Sequence, residues 1–381
     1  MTSRRHPLLV TALALALAAA ATLGLAGSAP AATPAAGPAA ARAPQLPPPV
    51  GHVFVINLEN KGFDETWGPG SAAPYLSGTL RDQGVLLTQY FGTAHNSLPN
   101  YIAQVTGQGP NPLTQGDCQV YSPFVTAGPP VQEGQYVGDG CVLPAEVPSL
   151  PGQLDASGRT WRGYMEDMGT PCRHPQLGAV DDTQKARVGD QYAVRHNPFM
   201  YLRSVTDSPP CAQHVVDLGA LTTDLATTST TPALSYITPN LCHDGHDAPC
   251  VDGQPGGLVS ADAFLRTWVP RITSSPAFQQ DGALVITFDE SDGAQSDATA
   301  CCGEGPGPNS PLPGITGLGG GRVGALVLSR FVTPGSTSTT PYNHYSLLAS
   351  IEDIWHLPHL GYAAKAGLPR FGLDVWNGRW A

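Results

Sequence analysis

His52-Val53-Phe54-Val55-Ile56-Asn57-Leu58-Glu59-Asn60 is the stretch whose reading decides the fold. A run of β-branched and aromatic residues without polar alternation reads as a strand buried on both faces. It stops abruptly at a carboxylate and an amide. Residues 283–288 (ALVITF) repeat the pattern and stop at Asp289-Glu290. Residues 324–329 and 233–237 form a third and a fourth such run. Between them, residues 101–106, 218–226, 261–271 and 346–355 read as helical. Continuous apolar strands alternating with helices predict an α/β fold: a mainly parallel central sheet with helices on both faces. Ligands of such folds sit at the carboxyl ends of the strands, and two strands here end in acidic or amide residues at that edge.

Ahead of the first strand the chain changes character. Arg4 and Arg5 precede a long apolar, alanine-rich stretch that ends in small residues around Ser28-Ala29-Pro30-Ala31, so residues 1–32 read as a secretory signal peptide. A membrane anchor is the competing reading, disfavoured by the alanine content and the small-residue exit. Ser3-Arg4-Arg5 also resembles a twin-arginine signal, which leaves export by the Sec or the Tat route open. Residues 33–50, with Pro47-Pro48-Pro49, read as a linker. Residues 51–381 are then expected to form one catalytic domain, since no later composition break, repeat or hydrophobic span interrupts them.

Eight cysteines suit an exported protein. Local loop closure favours Cys118–Cys141, Cys172–Cys211 and Cys242–Cys250, leaving the adjacent Cys301 and Cys302. The absence of any CxxC pair argues against a cysteine metal site. Net charge is −11, or −13 once Arg4 and Arg5 are removed with the signal. That balance speaks against nucleic acid and anionic lipid surfaces as partners, but not against an anionic substrate met by a metal ion. Residues 108–150 and 291–322 are long Gly/Pro/Asp-rich excursions of the kind that form binding loops or merely surface insertions.

Glu59-Asn60 offers two hard oxygen ligands at a strand end, and Asp289-Glu290 offers two more at the same edge. Three carboxylates so placed would repel one another without a cation between them. Ser97, in His95-Asn96-Ser97-Leu98-Pro99-Asn100, is expected near a helix N-terminus, where N–H groups favour a phosphate oxyanion; a plain N-cap is the alternative. No G-x-S-x-G elbow surrounds it, which weakens a carboxylesterase reading. His243 and His246, three apart and interleaved with carboxylates just after the fourth strand, suit proton donation or phosphate clamping, or else zinc ligation. Before the last helix, Asn343 or Ser346 is expected as a cap, with His344 as a further candidate substrate contact.

Taken in order, Glu59-Asn60-Lys61 with Phe63-Asp64-Glu65, then Ser97-Leu98-Pro99-Asn100, His243-Asp244-Gly245-His246 and Thr287-Phe288-Asp289-Glu290 resemble the bacterial phosphoesterase family of the alkaline-phosphatase superfamily. That family includes secreted acid phosphatases, phosphatidylinositol phosphatases and phospholipases C. The resemblance runs from about residue 52 to about residue 360 and implies an alkaline-phosphatase-like fold. It further implies that Glu59, Asn60, Ser97, Asp289 and Glu290 hold one divalent metal and that Ser97 is the nucleophile. His95, His243 and His246 would contact phosphate or protonate the leaving oxygen; apart from the resemblance, Asn100 and His344 are expected as substrate contacts. The family often has Asp at the position of Glu290, and the aromatic-Asp-His run of its phospholipases is replaced here by Ala294-Gln295-Ser296. The expectation is a secreted, metal-dependent acid phosphatase acting on a phosphorylated small molecule or lipid head group through a phosphoserine, with no stable membrane anchor after signal cleavage. A phospholipase C-type diesterase is the near alternative. A metal-free carboxylesterase built on Ser97, His243 and an Asp, or a non-catalytic binding module, are the distant ones.

Overall fold

The computed structural model describes residues 47–379. The expected signal segment, residues 1–32, and residues 33–46 of the expected linker lie outside them. Eight strands make the main sheet: β1 (His52–Leu58), β2 (Val85–Leu87), β3 (Trp161–Met165), β4 (Val215–Asp217), β5 (Leu234–Thr238), β6 (Gly282–Phe288), β7 (Ala325–Ser329) and β8 (Ser336–Ser338). Their order across the sheet is β8-β2-β7-β6-β1-β5-β3-β4.

β1 lies in the middle, parallel to β5 on one side and β6 on the other. Every residue of β5 and β6 is buried. Successive side chains point to opposite faces, so burial along the whole strand means that both faces are covered. Of the four strands expected from sequence, β7 departs in direction: it runs antiparallel to both β6 and β2. A strand buried on both faces carries the same apolar pattern in either direction, so its polarity is invisible to periodicity. The other seven strands run the same way.

The register fixes the site edge. Leu58 pairs with Phe288 across β1 and β6, so Glu59 and Asp289 leave the sheet side by side, and Asp289 N–H donates to Leu58 C=O at 2.9 Å. On the other flank, Glu59 N–H donates to Asp244 C=O at 2.8 Å, which brings the loop after β5 to the same edge.

Helix α1 spans Ser97–Thr106 and is buried along its whole length. It begins four residues earlier than the expected Tyr101, because Pro99 falls in the first turn, where an N–H has no intrahelical partner to lose. It ends at Gly107 with φ +67°. A Cβ there would stand 2.1 Å from the Leu360 carbonyl, so the position demands glycine. Helix α2 (Gly257–Thr273) extends the expected 261–271 at both ends, and α3 (His344–Ile354) matches the last expected helix. Asn343 caps α3, its side chain accepting from Ser346 N–H at 2.9 Å. The helix expected over 218–226 breaks into a 3-10 turn at Leu218–Ala220 and one α turn at Leu221–Asp224.

Cys118–Cys141, Cys172–Cys211 and Cys242–Cys250 pair as loop closure suggested, and the two cysteines left over, Cys301 and Cys302, pair with each other. Among the described residues no helix is long and apolar enough to cross a membrane.

Candidate active site

Ser97 opens α1, and its Oγ donates to Glu59 Oε2 at 2.6 Å. The same oxygen accepts from Asn60 Nδ2 at 3.0 Å, and Tyr101 hydroxyl donates to Glu59 Oε1. Asn60 bends the chain after β1 with φ +53°, a conformation asparagine tolerates better than most residues. That bend points its N–H at Asp289 Oδ1, 2.9 Å away. Two strand ends and one helix start thus meet around one hydroxyl.

These acids are sealed in. Glu59 and Asp289 have no exposed surface. Burial pushes the Glu59 carboxyl well above its ordinary range, and the Asp289 and Asp244 carboxylates raise it further. Burial also raises Asp289 and Asp244. One oxygen on each of Asp289 and Asp244 is buried without a hydrogen bond. Clustered anionic oxygens lacking partners are costly unless positive charge joins them. Hard oxygen donors of this kind are the chemistry a divalent cation takes, so Glu59 and Asp289 fit the metal that the resemblance implies.

Glu290 stands apart from the expected set. Its Oε2 is engaged by His95 Nδ1, while His95 Nε2 donates to Asp297 C=O at 2.8 Å. Both ring nitrogens of His95 are thereby used inside the protein, so His95 orients Glu290 instead of facing a substrate. Glu59, Asp289 and Glu290 are not gathered within 4.8 Å of one another; among the described residues only Cys242, Cys250 and Asp252 meet that spacing, and both sulfurs are in a disulfide.

The two expected substrate contacts are corrected. Asn100 Oδ1 accepts from Thr93 N, Thr93 Oγ1 and Ala94 N, and its Nδ2 donates to the Ala94 and Asn96 carbonyls. Nothing is left for a substrate; the amide braces the loop that delivers Ser97. His344 is fully buried, with Nε2 donating to Asp289 C=O at 2.6 Å and Nδ1 beside the Tyr90 hydroxyl and Gln104 amide. Burial pushes its pKa down to about 4. It is a neutral strut behind Asp289.

His243 Nδ1 meets Glu166 at 2.9 Å, and that hydrogen bond raises its pKa. Glu166 follows β3 directly and also accepts from Asn240 N–H, so this pair ties two strand-end loops together. No contact joins His243 to Ser97, and the Ser–His pair that a carboxylesterase would use is not formed. His246 differs. Its Nδ1 meets Asp247 at 2.7 Å, its side chain is 39% exposed, and its ring lies 6.4 Å from that of His196.

His196 and Asp244 are the members that sequence reasoning missed. His196 is buried, stacked on Tyr101 at 5.5 Å, with Nε2 3.4 Å from Glu59 Oε2 and Nδ1 3.2 Å from Asp244 Oδ2. Neither nitrogen completes a hydrogen bond. It sits in Arg195-His196-Asn197-Pro198, with no apolar strand before it to mark a site edge; the pairing of two basic residues in a buried stretch was the one available signal.

A family model described as the Phosphoesterase family matches residues 69–358. A probable acid phosphatase of Kluyveromyces lactis is 25% identical over 313 residues, covering 81% of this chain and 59% of its own length. The phosphate-repressible acid phosphatase of Penicillium chrysogenum is 27% identical, with 88% and 71% covered. The phosphatidylinositol-3-phosphatase of Mycobacterium tuberculosis is 24% identical, with 87% and 84% covered. The chain therefore spans about six-tenths of the length of the first of these relatives. Among solved structures, Ps i-CgsB aligns with TM-score 0.51 at 12% identity over 86% of this chain and 77% of its own. A protein of the alkaline phosphatase superfamily from Vibrio parahaemolyticus aligns with TM-score 0.49 at 10% identity, covering 86% and 72%.

Proposed function

We propose, from the premise that the chain belongs to the phosphoesterase family, that it is a metal-dependent phosphomonoesterase of the acid phosphatase type with Ser97 as nucleophile. One observation carries the reading: the Ser97 hydroxyl, at the start of a buried helix, donates at 2.6 Å to a carboxylate flanked by further buried acids. The relatives named acid phosphatases support the monoesterase reading, and the one named a phosphatidylinositol-3-phosphatase makes an inositol phospholipid head group a candidate substrate. The disulfides suit an extracellular site of action.

Glu59, Asn60, Ser97 and Asp289, with Glu290 if it is released from His95, would hold the cation. When bound, a divalent cation supplies positive charge that acidifies a neighbouring hydroxyl and balances phosphate charge. The chain's own residues do the rest. Ser97 Oγ passes its proton to Glu59 Oε2 and forms a bond to phosphorus in line with the departing oxygen. His246 gives a proton to that oxygen as its bond to phosphorus breaks. Water then attacks the phosphoserine and returns a proton to His246, and Ser97 Oγ leaves with the proton held by Glu59. His196, between Glu59 and Asp244, fixes the orientation of both acids.

A release panel tests this. An aryl phosphate monoester should be cleaved faster than a phosphodiester, and a carboxyl ester not at all. A chelator should abolish the activity and added divalent metal restore it. Activity indifferent to chelation would overturn the metal assignment, and cleavage of the carboxyl ester alone would overturn the class.

A further inference from the structure

The first turn of α1 is where an incoming phosphate would be drawn, by open N–H groups and the positive end of the helix dipole. In the free protein that place is taken by an anion of the protein itself. Leu98 N–H donates to Asp117 Oδ1 at 3.0 Å. This is no ordinary local cap: the N-cap residue Asn96 provides no side-chain bond, and Asp117 arrives from the 108–150 excursion. The other Asp117 oxygen, Oδ2, lies 4.0 Å from Arg195 Nε, at the outer limit of an ion pair. The Arg195 side chain is only 6% exposed, and its Nη1 donates to the Gln184 carbonyl at 3.1 Å. Beside it stands His196, buried and with neither ring nitrogen hydrogen-bonded.

We propose that Asp117 is a built-in stand-in for substrate: its carboxylate holds the anion seat on α1 with Arg195 as counter-ion, and a phosphate monoester displaces it and inherits Arg195. This rests on the phosphatase reading and deepens it by naming what selects the substrate. The backbone around Asp117 is pinned by Asp117 N–H to Thr114 C=O, by Gln184 Nε2 to Asp117 C=O and by the Cys118–Cys141 disulfide. The exchange is therefore a side-chain rotation, not a loop movement. An incoming group must outcompete a carboxylate for a partly desolvated guanidinium. A doubly charged monoester does so better than a singly charged diester, since attraction scales with charge at fixed distance. Asp117 thus biases the site against diesters and neutral esters.

Asp117→Asn separates this from a purely structural role, because the amide oxygen still accepts from Leu98 N–H while the competing charge is gone. Inorganic phosphate is the probe, read both as an inhibition constant and by calorimetry. The inhibition constant should fall by about fivefold or more when a unit charge is removed from the seat, and diester cleavage should rise relative to monoester cleavage. Arg195→Gln should raise the same constant by about tenfold or more. Asp117→Ser, which keeps a hydroxyl acceptor, serves as the second variant if Asp117→Asn folds poorly. Phosphate affinity unchanged or weakened in a folded Asp117 variant overturns the proposal while leaving hydrolysis by the wild-type protein intact. Failure of the wild type to release phosphate from any monoester strikes at the phosphatase reading instead, and calorimetry still decides whether Asp117 competes for the seat.

Discussion

Ser97 and the acids around it are the proposed seat of the chemistry, and each can be tested alone. Ser97→Ala removes the atom that would form the phosphoenzyme but no packing contact larger than a hydroxyl. Turnover should fall at least about a hundredfold with an unchanged melting temperature; an active, folded Ser97→Ala variant would discard the nucleophile assignment. His246 sets the expected pH response. Its hydrogen bond to Asp247 raises its pKa above the ordinary 6.5, against the lowering effect of burial. A histidine with a raised pKa stays protonated until pH climbs through that value, so the proposed proton donor is present on the acid side and is lost as pH rises through it. The pH profile of kcat should therefore descend on its alkaline side, and His246→Gln should show a low, flat profile over the same range. A wild-type rate that keeps rising into alkaline pH would rule His246 out as the donor.

At the scale of elements, the site depends on how α1 is joined to the sheet. Asn100 lies one turn into α1 and makes five hydrogen bonds back to the 93–96 loop. Asn100→Ala leaves several buried backbone groups without partners, each costing about 1–3 kcal/mol. A loss of at least about 2 kcal/mol in unfolding free energy is expected, visible in denaturant titration. Activity should fall as well, since Ser97 is delivered by that loop. An Asn100→Ala protein of wild-type stability would mean that the loop holds itself. The strand ends behave alike: Gly92 packs so closely that a Cβ there would stand 2.6 Å from the Asp289 carbonyl, the group that His344 anchors.

At the scale of the whole molecule, the proposed cation at the buried acids of one sheet edge would couple folding to cation binding. A ligand that binds only the folded state stabilises it, by about 2.7 kcal/mol when present at about a hundred times its dissociation constant. Metal-stripped protein should melt at a lower temperature and recover on titration with a divalent cation, and Glu59→Gln should abolish the recovery. A melting temperature indifferent to every cation tried would remove the metal from this edge. The sequence alone determined the strand ends, because continuous apolar runs that halt at Glu59 and Asp289 reveal both the sheet and the edge at which the proposed site lies. It also favoured three of the disulfides, whose partners close local loops, while the choice among the possible pairings was left to the structure. Only the tertiary structure decided the direction of β7, the diversion of Glu290 to His95, the structural roles of Asn100 and His344, the arrival of His196 and Asp244 beside Glu59, and that of Asp117 at Leu98. Local pattern records which side chains avoid water; which distant ones meet is decided by strand order, register and the way long loops close over the sheet.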